Sequence, residues 1–144
     1  MATEPTMPDT NKALVRRWFE QVWNGRDGGA IEALAAEDFV LHHFSMPAPI
    51  DRPTYAQFHP LFMAAFPDFQ IAVDDLIAEG DRVTARVTQS ATHQGDLMGI
   101  APTGKRVTLP GIAIYRIAEG KIAEAWAAET AWTQVLAEAA ATPA

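Results

Sequence analysis

In the first part of the chain, apolar residues recur every three to four positions, which is the period of an amphipathic helix. This pattern predicts a helix that begins at Asp9 or Thr10 and ends at Asn24-Gly25, a pair suited to a helix C-terminus. Its apolar stripe consists of Leu14, Val15, Trp18, Phe19, Val22 and Trp23. A shorter helix is expected over 30–36. Stripes of this kind need an apolar surface to pack against.

The next segment combines a strand, a loop and a helix. The strand is expected over 39–44, and the Pro-rich loop SMPAPIDRP follows it without a regular pattern. A third helix should start at Pro53, because proline suits the first helical turn, and end before Pro67-Asp68. Its buried side would carry Tyr55, Phe58, Leu61, Phe62 and Phe66. The first half is therefore predicted to be mainly helical.

From Phe69 onwards the apolar period falls to two, which is typical of strands. Four strands are expected, within FQIAVDDLIAEGD, RVTARVTQSATHQG, VTLPGIAIYRI (107–117) and KIAEAWAAE (121–129). Turns at Gly80-Asp81 and Glu119-Gly120 would join neighbouring strands as antiparallel hairpins. A last amphipathic helix is expected over 130–140. Helices followed by an antiparallel meander predict an α+β fold, with the helices on one face of a curved sheet.

Strand alternation gives one side of the last two strands a run of small residues. That side consists of Leu109, Gly111, Ala113, Tyr115, Ala123, Ala125, Ala127 and Glu129, and the opposite side includes Ile112, Ile114, Arg116, Ile122, Glu124 and Trp126. A sheet face that packs tightly on a helix usually carries Val, Ile or Leu. The alanines and the glycine therefore predict open space, and we expect a pocket whose wall includes one carboxylate and one phenol.

Composition is that of one ordinary globular domain covering 1–144, with loose ends at 1–8 and 141–144. The 49% hydrophobic and 20% charged residues suit this class. No apolar run reaches the roughly 18 residues of a membrane span, and the polar start lacks a signal-peptide pattern, so we expect a cytoplasmic protein. The absence of cysteine excludes disulfides and thiolate chemistry. The net charge of −7 argues against nucleic-acid and anionic membrane partners.

Three segments resemble a known family: NKALVRRWFEQVWNGRD, FPDFQIAVDDLIAEGDRVTARVTQSATHQGDLMGIAPTGKRV and GIAIYRIAEGKIAEAW. They are similar to the SnoaL-like polyketide cyclase group of the nuclear-transport-factor-2-like cone-fold superfamily, over about 11–126. The resemblance implies a curved antiparallel sheet wrapped around the N-terminal helices, a cone with an internal pocket, and a homodimer through the outer sheet face. The superfamily also hosts isomerases, dehydratases, epoxide hydrolases and non-catalytic proteins, so the fold alone does not define the activity.

The resemblance also implies catalytic positions that this chain leaves without a functional group. In the family's cyclases, an Asp directly after the Trp of the last strand is the acid–base group, and a His on the preceding strand assists it. The matching positions here are Ala127 and Ala113. Either the chemistry has moved elsewhere in the pocket, or the pocket only binds a ligand.

Three residues are the candidates for acid–base catalysis: Glu129, His42 and His93. Glu129 shares its face with Ala127, about 6–7 Å further along the strand, where desolvation would suit a general base. Its alternative role is an acidic residue at the start of the last helix. Only one of His42 and His43 can point inward. The resemblance favours His42 as the inward residue, because the family often has His at that position, and His43 is the other candidate for a ligand contact.

His93 ends a strand whose expected inward residues are Val83, Ala85, Val87, Gln89, Ala91 and His93. Gln89 and His93 would orient a ligand from that face, unless a β-bulge reverses the alternation, or they would satisfy backbone groups near the sheet edge. Tyr115 would hold a substrate oxygen or belong to the core. The other predicted ligand contacts are Trp18, Phe62, Met63, Ala113, Ala127 and Trp126, although aromatic stripes are also typical of ordinary core. His59 is expected to be structural.

No metal and no other cofactor is expected. His42-His43 and Asp74-Asp75 should each direct their side chains to opposite faces, and the histidines lack metal-ligand spacing. The loop that contains Gly99 and Gly104 has no nucleotide-binding pattern.

These features predict a cofactor-independent isomerase, cyclase or dehydratase acting on a small apolar, cyclic or polyketide-like molecule. One alternative is a non-catalytic small-molecule binding protein on the same fold. Another is an epoxide hydrolase-like enzyme with an Asp-Arg-Asp set, for which Arg86 is available, although Thr88 stands where a second acid is needed. A third is a partner-binding domain that uses the outer sheet face.

Overall fold

The computed structural model describes residues 6–129 and 131–141. Its helices are α1 (Met7–Arg17), continued by a π-helical segment (Trp18–Asn24), α2 (Ala30–Leu34), α3 (Arg52–Ala65) and α4 (Trp132–Ala141). Its strands are β1 (Ala35–His43), β2 (Ile50–Asp51), β3 (Gln70–Glu79), β4 (Arg82–Thr92), β5 (Arg106–Ala118) and β6 (Lys121–Ala128). The predicted α+β class is confirmed, with N-terminal helices against a curved sheet.

The six strands form one sheet in the order β2-β1-β6-β5-β4-β3. Neighbouring strands pair antiparallel, except β1 and β6, which run parallel. We expected an antiparallel sheet, and this parallel pair is the exception. It arises because β1 comes early in the chain and joins the sheet beside its last strand. The pairing places His43 directly opposite Ala127.

Helix α1 begins at Met7, earlier than the sequence pattern predicted. The Thr6 hydroxyl accepts a hydrogen bond from the Asp9 backbone N–H at 3.2 Å, and the Asp9 carboxylate accepts one from the Thr6 N–H at 3.4 Å. This capping box defines the start of the helix. Residues 6–8 and 141 were expected to be loose ends, but they lie at the start of α1 and the end of α4. The other expected loose ends, 1–5 and 142–144, lie outside the described residues.

The inward faces of β4 and β5 follow the predicted alternation. The residues 83, 85, 87, 89, 91 and 93 of one strand region and 109, 111, 113 and 115 of the other are all buried. The register between β4 and β5 is continuous, so no bulge reverses the alternation in either strand.

Two bulges elsewhere correct our face assignments. Between β5 and β6 the register shifts after Arg116, and the extra residue turns Ile122 inward, where it is fully buried instead of lying on the outer face. In β3 the register shifts around Asp74. As a result Asp74 and Asp75 both reach Arg86, at 3.8 and 2.6 Å, although their side chains were expected to diverge. An extra residue in one strand changes side-chain parity from that point on.

The apolar core lies between the helices and the concave side of the sheet. Trp18, Phe39 and Phe66 are among its largest fully buried side chains. His59 is also buried, and its Nε2–H donates to the Val22 carbonyl at 2.6 Å, which supports the structural role expected for it. Among the described residues, no helix has both the length and the apolar character needed to cross a bilayer.

A pair of hydrogen bonds joins the helical layer to the edge of the sheet. The Asn24 side-chain amide donates to the Ile71 carbonyl at 2.9 Å, and its carbonyl accepts the Ile71 N–H at 2.8 Å. Asn24 therefore pairs with β3 as a neighbouring strand would.

Replacing Asn24 with Ala should lower the free energy of unfolding by about 1–3 kcal/mol, because both backbone groups of Ile71 lose a partner. Urea denaturation measures this change. Gln21→Ala, an exposed position on the same helical segment, is the control and should change stability by less than about 0.5 kcal/mol. Equal effects of the two substitutions would contradict this role of Asn24.

Candidate functional site

A cavity of about 380 Å³ lies between the helices and the concave sheet face. Aromatic side chains form much of its wall, among them Trp18, Trp23, Tyr55, Phe62, Phe69 and Trp132. A second depression, of about 600 Å³, lies beside Glu37, Asp38 and Lys121. It is wide open to solvent and its side chains carry both signs of charge, so we place the candidate site in the aromatic cavity.

Small residues of β5 and β6 line this cavity. Gly111, Ala113, Ala125 and Ala127 all line it. Ala113 and Ala127 are direct neighbours across the two strands. A larger side chain at either position would fill the space between the sheet and the aromatic wall.

The Glu129 carboxylate lies in this wall, above the backbone of Gly111. A Cβ atom built on Gly111 would be only 2.8 Å from Oε2 of Glu129. The absence of a side chain at 111 therefore creates the room that the carboxylate occupies. Glu129 precedes α4 by three residues, and its side chain is 19% exposed.

Two neutral donors bind the Glu129 carboxylate. Oε1 accepts a hydrogen bond from Nε2 of His43 at 3.3 Å, and Oε2 accepts a very short one from the side-chain amide of Gln89. The Gln89 carbonyl in turn accepts the indole N–H of Trp132 at 3.4 Å. Because an indole nitrogen only donates, this contact directs the Gln89 amide towards the carboxylate.

Ser45 determines which nitrogen of His43 carries the proton. Its backbone N–H donates to Nδ1 of His43 at 3.3 Å, and its hydroxyl lies 2.6 Å from the same atom. A backbone N–H cannot accept, so Nδ1 is the unprotonated nitrogen and Nε2–H points at Glu129. His43 and Gln89 thus donate hydrogen bonds to the Glu129 carboxylate. The Ser45 backbone N–H and the Trp132 indole orient these two donors.

His42 does not lie in the cavity, contrary to our expectation. It occupies the outer sheet face, where its ring stacks on Trp126 at 5.6 Å and its Nε2 contacts Glu124 at 2.7 Å. This hydrogen bond, together with Arg116, holds the pKa of Glu124 below its usual range. Adjacent strand residues face opposite ways, and the pairing of β1 with β6 makes His43 the inward one.

Three further predicted contacts also lie away from the cavity. Trp126 is on the outer face, where the Arg82 guanidinium lies 5.0 Å from the centre of its ring. Met63 is buried in the core but is not part of the cavity wall. His93 points inward beyond the end of the cavity, where its Nδ1 accepts the Thr103 N–H at 3.1 Å. Inward orientation was predicted for His93, but its distance along the strand places it in the core.

The remaining predicted contacts line the cavity: Glu129, His43, Gln89, Tyr115, Trp18, Phe62, Ala113 and Ala127. Tyr55, Ser45 and Trp132 are cavity residues for which the sequence suggested no such role. Tyr55 was assigned only to the buried side of a helix, and Trp132 lies within the last predicted helix. Ser45 lies two residues after His43, which was the available signal for its contact with that ring.

Two phenols face the same cavity. Burial raises the pKa of Tyr55 well above its usual value, and the neighbouring Tyr115 adds to this shift. Burial and the nearby Glu129 carboxylate also raise the pKa of Tyr115. Both hydroxyls therefore stay protonated at neutral pH and are available as hydrogen-bond donors.

Among the described residues, no group of three or more His, Asp or Glu side chains is placed to hold a metal ion. The network around Glu129 consists of one carboxylate, one imidazole and neutral donors.

Comparisons with known proteins agree with this architecture. A family model described as SnoaL-like polyketide cyclase matches residues 13–134. The crystal structure of AclR from Streptomyces galilaeus, provisionally described as a hydroxylase, is 30% identical, with a TM-score of 0.78 over 93% of this chain and 87% of that one. The search among curated proteins gives no match.

Two further solved structures are similar. A protein of Acidithiobacillus ferrooxidans, provisionally described as a polyketide cyclase, is 25% identical, with a TM-score of 0.77 over 93% of this chain and 99% of that one. A protein of Jannaschia sp. CCS1, provisionally described as a SnoaL-like polyketide cyclase, is 19% identical, with a TM-score of 0.84 over 99% of this chain and all of that one. This last similarity shows the shared fold.

Replacing Gly111 with Ala should displace the Glu129 carboxylate without unfolding the protein. The new methyl group needs ordinary contact distance, at least 3.4 Å, so Oε2 must leave its position 2.8 Å away and weaken its bond with Gln89. Stability should change by less than about 1 kcal/mol, because Ala is the better strand residue and the clashing group is a flexible side-chain end. A crystal structure and urea denaturation check both parts.

The control is Gly111→Ala in a Glu129→Ala background, where the methyl group meets no carboxylate. The other side chains of the cavity wall should then keep their positions. An unmoved carboxylate in the single variant would show that Gly111 does not create its position.

Proposed function

We propose that this chain, which belongs to the SnoaL-like polyketide cyclase family, is an enzyme that transfers protons on a small apolar substrate. The observation that carries this proposal is the Glu129 carboxylate, held by His43 and Gln89 in the wall of an aromatic cavity. The reaction is an isomerisation, cyclisation or dehydration of a cyclic or polyketide-like molecule. No redox step is part of the proposal.

Glu129 is the general base in this mechanism. Neither nitrogen of His43 is free, because Nδ1 accepts from Ser45 and Nε2–H donates to Glu129. The remaining lone pairs of the carboxylate are therefore the basic sites beside a bound substrate. Glu129 takes a proton from the carbon next to a substrate carbonyl and returns it to another atom of the resulting enolate.

The oxygen of that enolate needs hydrogen-bond donors. Tyr115 and Tyr55 line the same cavity and remain protonated, so their hydroxyls would stabilise the negative charge as it develops. His43 and Ser45 hold the base in its orientation. The roles of the two tyrosines are supported by their position in the cavity wall, and those of His43 and Ser45 by their hydrogen bonds.

The proposal relocates the family's acid–base chemistry. Ala127 and Ala113 occupy the positions that carry Asp and His in the cyclases the chain resembles. Glu129 lies two residues beyond Ala127, which is about 7 Å along a strand. The carboxylate has thus moved by two residues, to a position just past the end of β6, and His43, opposite Ala127, provides the imidazole from β1.

A non-catalytic binding protein is the alternative function. The alanines at 113 and 127 favour it, because they remove the usual catalytic groups and enlarge the cavity. An epoxide hydrolase-like reaction has less support. Arg86 pairs with Asp75 on the exposed outer face, at 2.6 Å, so the sheet separates this pair from the cavity.

Glu129→Gln should reduce turnover by at least about 100-fold on any substrate in a panel of enones, epoxides and poly-β-ketones, because general-base catalysis contributes about 10²–10⁴-fold. Hydrogen–deuterium exchange at the acidic carbon, followed by NMR, reports the proton-transfer step directly. His43→Gln should also impair exchange. His42→Gln, the neighbouring histidine on the outer face, is the matched control and should have little effect.

Ligand-induced thermal stabilisation without exchange in the unmodified protein would favour the binding-only alternative. Equal losses in the two histidine variants would contradict the assignment of His43, because only one of these rings touches Glu129.

We also propose that the outer sheet face forms a homodimer. Trp126, Ile114 and the exposed Ile112 lie on this face, on the convex side of β5 and β6. A surface of this kind suits a two-fold symmetric dimer, in which the same patch of each protomer forms the interface.

Ile114→Glu should shift the protein from dimer to monomer in light scattering coupled to size-exclusion chromatography, because it places an unpaired charge in the apolar patch. Leu61 was expected on the buried side of α3 but is exposed, so Leu61→Glu should leave the dimer intact. A monomeric unmodified protein would refute this assembly, and so would a dimer that Ile114→Glu does not weaken.

A further inference from the structure

We infer that the cavity selects organic cations: ligands with an apolar body that carries a protonated or quaternary nitrogen. The inference deepens the proposed function, since it rests on the same cavity and adds a charge to its substrate class.

The first argument is an uncompensated negative charge. The Glu129 carboxylate lines the cavity, and no Lys or Arg side chain does so within the described part of the chain. His43 offers no positive charge in this arrangement, because the Ser45 backbone N–H occupies Nδ1 and leaves the ring neutral. Gln89 is neutral as well. The described wall therefore carries a net charge of about −1.

The second argument concerns the surroundings of that charge. The polar side chains of the wall are few, and most of its area is apolar. Charges attract more strongly in such a medium than in water, and salt screens them less. A cationic ligand would gain this attraction, whereas a carboxylate ligand would meet repulsion from Glu129.

The third argument is the arrangement of aromatic rings. Trp23 lies 5.8 Å from both Tyr55 and Phe69, and Phe62 lies 5.5 Å from Trp132, measured between ring centres. All five side chains line the cavity. Two of these three pairs meet edge to face, so neighbouring rings present surfaces in different directions. The faces of aromatic rings attract cations, and clustered rings are a recurring site for quaternary ammonium groups.

Three naphthalene derivatives that differ in charge test this selectivity. Naphthalene bearing a trimethylammonium group is the cation, tert-butylnaphthalene is its uncharged isostere, and naphthoate is the anion. Binding can be followed by tryptophan fluorescence, because Trp18, Trp23 and Trp132 line the cavity. Isothermal titration calorimetry provides an independent dissociation constant.

The cation should bind at least about tenfold more tightly than the uncharged isostere, and naphthoate should bind most weakly. Glu129→Gln should reduce the preference for the cation to about threefold or less, while binding of the uncharged isostere stays within about twofold. Tyr55→Leu should weaken binding of the cation more than binding of the uncharged isostere. Tyr55→Phe keeps the aromatic ring and should retain most of the preference for the cation.

Equal affinities for the cation and its isostere in the unmodified protein would overturn the inference, as would a preference that survives Glu129→Gln in full. If the cation preference is absent but neutral enones still show Glu129-dependent proton exchange, only the inference fails and the proposed function is retained. A clear preference for the cation without any proton exchange would support the inference and refute the proposed catalysis.

Discussion

The placement of a carboxylate in the wall of an apolar cavity is the constraint on which this site depends. An unpaired charge in such surroundings is costly, and hydrogen bonds from neutral donors are one way to offset that cost. The Glu129 carboxylate receives two such bonds, from Gln89 and His43. Each donor is oriented by a further group, the Trp132 indole or Ser45. Gly111 contributes by having no side chain, because any Cβ there would occupy the place of the carboxylate.

The fold brings these groups together from distant parts of the chain. Gln89 and Gly111 come from the antiparallel strands β4 and β5, while His43 comes from β1 through its parallel pairing with β6. That pairing places His43 opposite Ala127, and both residues line the cavity. Gly111 lines the same cavity and leaves the room that the Glu129 carboxylate occupies, so packing and chemistry depend on the same position.

Sequence periodicity predicted the part of this structure that depends on regular alternation. The inward faces of β4 and β5 were correct, because their mutual register has no bulge. Ile122 and Asp74 were misplaced because bulges are set by tertiary pairing, which alternation alone does not reveal. The choice between His42 and His43 failed for a related reason, since a shift of one residue exchanges the two faces. Ser45 and Trp132 were missed because their roles consist of contacts with other side chains.

The presence of the carboxylate bears on the choice between catalysis and simple binding. A cavity that only held a neutral apolar molecule would bind it at least as well with an uncharged residue at 129, because a partly buried charge carries a desolvation cost. Here that charge is accompanied by two donors, two orienting groups and a glycine that makes room for it. Such an arrangement is useful where the charge itself acts, either by accepting a proton or by attracting a positive ligand. The network around Glu129 is therefore better explained by the proposed charged site than by a cavity that only holds a neutral ligand.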